Sequence, residues 1–351
     1  MTNRPIIIFA ALAAASIAAA TPNCTAQQGQ AYIDSGQYNK AIQEFTCLID
    51  AQPTEPEGYR GRIEAELLLG QFSNAVRDSA RVFAYVLPAH PDAEQLILAT
   101  YDAQLAANPN DTRALTGASF TRWWFFDYRQ AIHLLKQLLA LAPNDLYGNL
   151  FMGSNRMLSG VQAGDGAADL ERAISMAPAS PDVHYIVADA YTYGQFNPNR
   201  AFNEAGIALN WGLDTPRIHG ILADCYLAFG NLPAAGEQIL IHLNEVTTQL
   251  VQTAPLAAGT SMSLPLVPGR TYEIPVAVNA GETLAVTTSS KDFWDTILVL
   301  LAPDGSPVTG SDDVTKYFAA LNWTATSAGT YKMRVSSFES VNTGELVVTR
   351  K

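Results

Sequence analysis

Along the first two-thirds of the chain, apolar positions follow helical spacing in blocks that restart at a fixed interval. "GQYNKAIQEF" at 36–45 returns as "GQFSNAVRDS" at 70–79. Gly36, Gln37, Tyr38 and Ala41 reappear as Gly70, Gln71, Phe72 and Ala75, each 34 places on. A period of that length predicts stacked helical hairpins, because one hairpin cannot bury its apolar faces alone. Looser copies follow. "FFDYRQAIHLL" places Tyr128, Ala131 and Leu135 at the spacing of Tyr38, Ala41 and Phe45, and "GNLPAAGEQI" does the same with Leu232 and Ala235. Pro109 and Pro143 are again 34 apart, and Pro178 closes the next block. "ADAYTYGQF" and "ADCYLAFGN" repeat the end of a first helix. About six hairpins therefore fill residues 21–250. Residues 92–107, between Pro91 and Pro109, leave room for one helix and read as a half repeat.

After Leu250 the helical period stops. Short alternating runs take over, "TYEIPVAV", "ETLAVTTS", "DTILVLLA", "YFAALNWTA", "GTYKMRVSS" and "GELVVTR", separated by turn residues in "NAGE", "APDG", "SAG" and "NTG". This pattern predicts a small β-sandwich over 261–351. Residues 251–260 read as a linker, and the two parts are expected to fold apart.

The first copy resembles the tetratricopeptide repeat. Gly29, Tyr32, Gly36, Tyr38, Ala41, Phe45 and Pro53 fall at that family's spacings. Gly29 and Ala41 are small where two helices cross, the rings fill the space between hairpins, and Pro53 stops the second helix. The tail resembles the bacterial pre-peptidase C-terminal domain through "NAGETLAVTT", "DTILVLLAPDG", "SDD" and "AGTYKMRVSSF". The fold class is thus an all-α tetratricopeptide-type solenoid followed by a small all-β sandwich.

Composition narrows the function. Net charge is −12, with 13 basic against 24 acidic residues between the N-terminal segment and Val251. That balance argues against nucleic acid or anionic lipid as partner. "MTNRPIIIFAALAAASIAAA" has the basic start, apolar run and small-residue end of a signal peptide over 1–20, so export to the periplasm, cell surface or medium is expected. The run is short for a membrane span, and no second stretch is long enough. No metalloprotease HExxH, nucleophile elbow, phosphate-binding loop or CxxC occurs, so no enzyme and no cofactor is expected.

Four kinds of site remain. By the first resemblance, first helices line a concave groove, which places Phe120, Trp123, Trp124, Tyr185 and Tyr193 there, with Glu64, Asp189 and Asp224 making it acidic. The alternative is that Trp123, Phe125 and Phe126 pack between hairpins. In the tail Asp295, Asp312 and Asp313 could hold calcium, or serve as turn caps. His184 and His219 hold equivalent repeat positions and read as packed rings rather than a metal pair. Cys24 and Cys47 lie at the adjoining ends of one antiparallel hairpin, which predicts a disulfide in an oxidising compartment. The function expected is an exported scaffold that binds a polypeptide in its groove while the sandwich docks elsewhere. An accessory subunit of a secreted hydrolase and a glycan-binding module are the alternatives.

Overall fold

The computed structural model describes residues 24–161, 163–291, 295–311, 318–338 and 344–351. The signal-peptide reading of 1–20 and two of the calcium candidates, Asp312 and Asp313, lie outside them. Among the described residues the chain forms 13 α-helices followed by β-strands in two sheets.

The helices come as α1 (Ala26–Asp34) with α2 (Tyr38–Ala51), α3 (Pro56–Leu68) with α4 (Phe72–Arg81), and then α5 (Ala93–Ala107). They continue as α6 (Thr112–Trp124) with α7 (Tyr128–Leu141), and α8 (Leu146–Ser159) with α9 (Ala163–Met176). The last pairs are α10 (Pro181–Tyr193) with α11 (Pro198–Asn210), and α12 (Pro216–Ala228) with α13 (Leu232–Val246). Local chemistry sets their starts. Thr25, Asp111, Asp145, Ser180 and Thr215 each accept a first-turn amide, and Pro56, Pro181, Pro198 and Pro216 fall where a missing N–H costs nothing. Three of the prolines that stop a second helix also leave a carbonyl that the next first helix takes up. Tyr59 Oη donates to Pro53 O (3.1 Å), Asn149 Nδ2 to Pro143 O (3.1 Å), and His184 Nε2 meets Pro178 O (2.9 Å).

The place of α5 departs from the half-repeat reading. A Cβ built on Gly61 of α3 would stand 2.1 Å from the ring of Phe45 on α2. One built on Gly117 of α6 would stand 2.3 Å from the ring of Tyr101 on α5. Tyr101 therefore enters α6 as Phe45 enters α3, and α5 takes the second-helix slot. Its Ile97, Leu98 and Tyr101 join the main solenoid core. The helix that copies the opening phrase, α4, is displaced. It continues through a π-helical turn (Val82–Val86) and crosses onto α8 and α10. Phe72 packs on Tyr147 (6.3 Å) and Phe151 (5.7 Å), and Ser73 N donates to Asp182 Oδ1 (2.7 Å).

The strands are β1 (Gln249–Gln252), β2 (Ser261–Leu266), β3 (Arg270–Val278), β4 (Thr283–Ser290), β5 (Thr296–Leu301), β6 (Pro307–Ser311), β7 (Ala320–Thr324), β8 (Gly329–Ser337) and β9 (Gly344–Arg350). They form sheets of order β1-β3-β8-β5-β6 and β2-β9-β4-β7. All pairings are antiparallel except β1 with β3. Ile274, Val276, Leu298, Leu300, Met333 and Val335 meet Leu264, Leu284, Val286, Leu346 and Val348 in the sandwich core.

The junction is not a free linker. Val251 and Gln252 belong to β1, paired to Tyr272 and Glu273, and Leu256 is buried in the sandwich core. Helix α13 lies on the outer face of the first sheet. Ile239 and Leu243 share a core with Ala223, Ile297, Val299, Leu301 and Phe338. Gly236 and Gly310 let helix and strand backbones approach: a Cβ on Gly236 would stand 3.0 Å from the Thr309 backbone. The fully buried His242 ring faces Pro216 O through Nδ1 (2.7 Å) and Phe338 O through Nε2. Solenoid and sandwich thus share a packed interface.

At the other end a disulfide joins Cys24 to Cys47, with Cα atoms 5.9 Å apart. It closes a 23-residue interval on the small core of Ile33, Ala41, Phe45 and Leu48, which has a neighbour on one side. Replacing Cys47 by Ser is expected to cost roughly 3 kcal/mol on the loop-entropy estimate. Thiol counting on denatured protein checks the bridge: one free thiol, Cys225, is expected.

Candidate partner-binding surface

The first helices stack in order, but the face they form is not open. Phe120, Trp123 and Tyr185, expected to line a groove, are buried in the solenoid core. The displaced α4, its π-helical turn and α8 fill this face. Phe83 of the π-helical turn packs on Trp124 (5.9 Å) and Phe125 (5.1 Å), while Phe120 and Trp123 pack on Phe151 (5.5 and 5.2 Å). Trp124 and Tyr193 are half-buried. Between α3, α5, α6 and the π-helical turn only a small space remains, lined by Arg60, Ile63, Val82, Tyr101, Phe120 and Trp124.

The acidic face is neutralised as well. Glu64 is buried against Arg60 (3.3 Å) and Arg113 (2.9 Å), and Asp189 against Arg217 (2.6 Å), whose guanidinium also stacks on Tyr193 (4.9 Å). Asp224 is half-buried. Glu64 and Asp189 thus join neighbouring hairpins, through Arg113 and Arg217. Burial, with the Glu64 charge adding to it, pushes the Tyr101 hydroxyl up. The Cys225 thiol is pushed up to about 12 by burial and then by Asp224, which suits a packing residue and not a nucleophile. His184 is held by Glu204 and Pro178 O, as a packed ring would be. In the tail, the Asp295 carbonyl accepts from Phe338 N (3.0 Å), and Asp304 caps its own turn by accepting from Ser306 N (2.9 Å).

A different feature stands out on the rim formed by the turns between first and second helices. Besides Gly160 of the α8–α9 turn (φ 68°), a glycine sits left-handed in three of them with a shared bonding pattern: Gly36, Gly70 and Gly230, at φ 72°, 73° and 72°. Each follows the same bonding, as in Gly70 N to Leu67 O and Gln71 N to Glu66 O. In the α6–α7 turn this slot holds Phe126, at φ 63°, with Phe126 N to Trp123 O and Asp127 N to Arg122 O. A Cβ in that region costs about 1–2 kcal/mol. The Phe126 side chain returns little of this to the fold, since it is 70% exposed, touching Phe83 and Tyr128 only at 6.4 and 6.3 Å between ring centroids. The turns that follow expose Val161, Phe196 and Phe229. The sequence signal for Phe126 is "FFD" where "LGQ", "SGQ" and "FGN" stand in the matching turns.

The tetratricopeptide-repeat family model matches residues 27–94. No curated protein matches the chain. Among solved structures, a tetratricopeptide repeat protein from Parabacteroides merdae ATCC 43184 is 14% identical, covering 64% of this chain and 78% of its own, with TM-score 0.40. A thermophilic tetratricopeptide repeat protein of Thermus thermophilus is 16% identical, covering 57% and 96%, with TM-score 0.34. The pre-peptidase C-terminal domain of a collagenase from Bacillus anthracis is 12% identical, covering 29% and 95%, with TM-score 0.25. The repeat match over 27–94 and the stacked hairpins make the helical part of this chain a solenoid similar to the tetratricopeptide repeat, and it is followed by a two-sheet β-sandwich.

Proposed function

We propose that the chain is a non-enzymatic interaction scaffold that holds a polypeptide partner along the rim of its hairpin turns, with Phe126 as the central anchor. The carrying observation is Phe126 itself: a strained, exposed aromatic in a slot that glycine fills in sister turns. Strain that the fold does not need points toward function, and an exposed ring at a rigid turn suits an anchor. The filled groove supports the rim over the inner face. Export belongs to this proposal. The Cys24–Cys47 bridge supports it, because disulfides persist in oxidising compartments. With α13 on one sheet, the sheet β2-β9-β4-β7 is the face of the sandwich left for docking.

Phe126→Gly separates binding from folding. The variant is expected to melt at the wild-type temperature or above, since relief of the left-handed Cβ is worth about 1 kcal/mol. Affinity capture from the exported fraction should lose the polypeptides that the wild type retains. Unchanged capture by a well-folded Phe126→Gly would overturn the rim reading.

A further inference from the structure

His184 and His219 occupy the same place in successive hairpins, but their surroundings differ. The ring of His184 meets one carboxylate, Glu204, through Nδ1, and the stopper proline's carbonyl, Pro178 O, through Nε2. In the next hairpin Leu213 and Asp214 replace that proline turn. The Nε2 of His219 now faces Asp214 Oδ1 at 2.8 Å and Glu245 Oε1 at 3.9 Å. Its Nδ1 lies 2.7 Å from Gln238 Oε1.

From this contrast we propose that Asp214, His219 and Glu245 form a divalent transition-metal site of the zinc class. The donor set fits by chemistry: one imidazole nitrogen and two carboxylate oxygens, leaving a fourth position for water. It fits by geometry too. All three donor atoms lie within 4.8 Å of one another, the one such group among the described residues. Around a tetrahedral ion with bonds near 2.0–2.2 Å, donors stand about 3.4 Å apart. The 2.8 Å pair must open slightly and the 3.9 Å pair close slightly, which the 62% exposed Asp214 side chain permits.

The outer contact also fits. A ligating histidine ordinarily gives its other N–H to an oxygen that fixes ring and tautomer. Gln238 Oε1 is placed to accept the Nδ1 proton of His219, so a metal ion would displace the proton that Nε2 shares with Asp214 and take the lone pair between the two carboxylates. His219 is buried on α12, Asp214 lies in the turn before it, and Glu245 sits at the end of α13. An ion here ties the last hairpin together beside the helix that carries the sandwich.

The test uses tag-free full-length protein stripped with chelator and titrated with zinc chloride by calorimetry and by melting. One equivalent should bind, and the melting temperature should rise with free zinc. Cobalt chloride should give a visible band of tetrahedral intensity. Asp214→Asn, at an exposed side chain, should keep the wild-type circular dichroism and weaken zinc binding at least tenfold, as should Glu245→Gln. His184→Gln should leave zinc uptake unchanged. Absence of stoichiometric zinc binding in the wild type overturns the site, and so does undiminished binding in Asp214→Asn and Glu245→Gln.

Discussion

Phe338→Ala is expected to lower the stability of the whole chain by about 3–5 kcal/mol, the range for a buried Phe reduced to Ala. Phe338 is 3% exposed at the end of β8 and projects across the junction. Its ring sits 4.5 Å from that of His242, and a Cβ built on Gly220 of α12 would stand 2.3 Å from its tip. Truncation therefore empties a hole bounded by both parts at once. It also loosens the backbone carbonyl of Phe338 that faces His242 Nε2. Urea unfolding followed at helical and sheet wavelengths measures this. The wild type should show coincident transitions, and the variant should show an earlier one or a separation of the two signals. A loss below about 1 kcal/mol with transitions still coincident would mean that the interface carries little coupling, since core truncations of this kind cost several times more.

That junction was partly legible. The β5 run "TILVLL" does not alternate, unlike its neighbours. An unbroken apolar strand means burial on both faces. One face, Leu298 and Leu300, meets the opposite sheet, and the other, Ile297, Val299 and Leu301, meets α13. The sequence states that a cover exists without naming it. The glycines that make room, Gly220, Gly236 and Gly310, look like ordinary repeat and turn glycines until their partners are seen.

The solenoid shows the opposite case. The 34-residue period, the caps and the stopper prolines make the hairpins legible one by one. The inner face was not legible, because α4 carries the phrase of a second helix and yet gives up that slot to α5. Repeat spacing reports local sequence, whereas the slot depends on which helix fits the glycine groove of α6. Tyr101 fits it as Phe45 fits α3. Once α4 crosses the inner face, three of the rings expected to bind a partner, Phe120, Trp123 and Tyr185, become core, and Glu64 and Asp189 become structural ion pairs. The buried acids of α3 and α4 had no sequence signal beyond their helical spacing.

Those acids carry the last prediction. Arg62 binds Asp78 through two nitrogens, Nη2 to Oδ1 at 2.8 Å and Nε to Oδ2, and Arg81 adds a contact at 3.1 Å. Both Arg62 and Asp78 are buried, so removing the acid leaves an uncompensated interior charge. Asp78→Ala is expected to cost about 3–5 kcal/mol. Glu66, one turn from Arg62 and buried, should respond in the opposite sense. Burial first, and the charge of Asp78 second, push its carboxyl up to about 8, while Arg62, Arg77 and Arg81 pull it down. The folded chain then holds a proton on Glu66 that the unfolded chain releases near the ordinary 4.5. Between these values the folded state binds more protons, so stability falls as pH rises, by up to about 1.4 kcal/mol per pH unit from this group. The contribution is full below 4.5 and lost as pH passes through about 8. Glu66→Gln keeps the shape without the charge. It should lie within about 1 kcal/mol of the wild type at pH 5 and exceed it at pH 9 by an amount on the order of a few kcal/mol. In Asp78→Ala the same slope should shrink, because the Asp78 charge that helps raise the Glu66 carboxyl is gone. Urea midpoints from pH 5 to 9 decide it: parallel curves for wild type and Glu66→Gln would show that Glu66 is ionised in the folded chain and paired with Arg62 throughout.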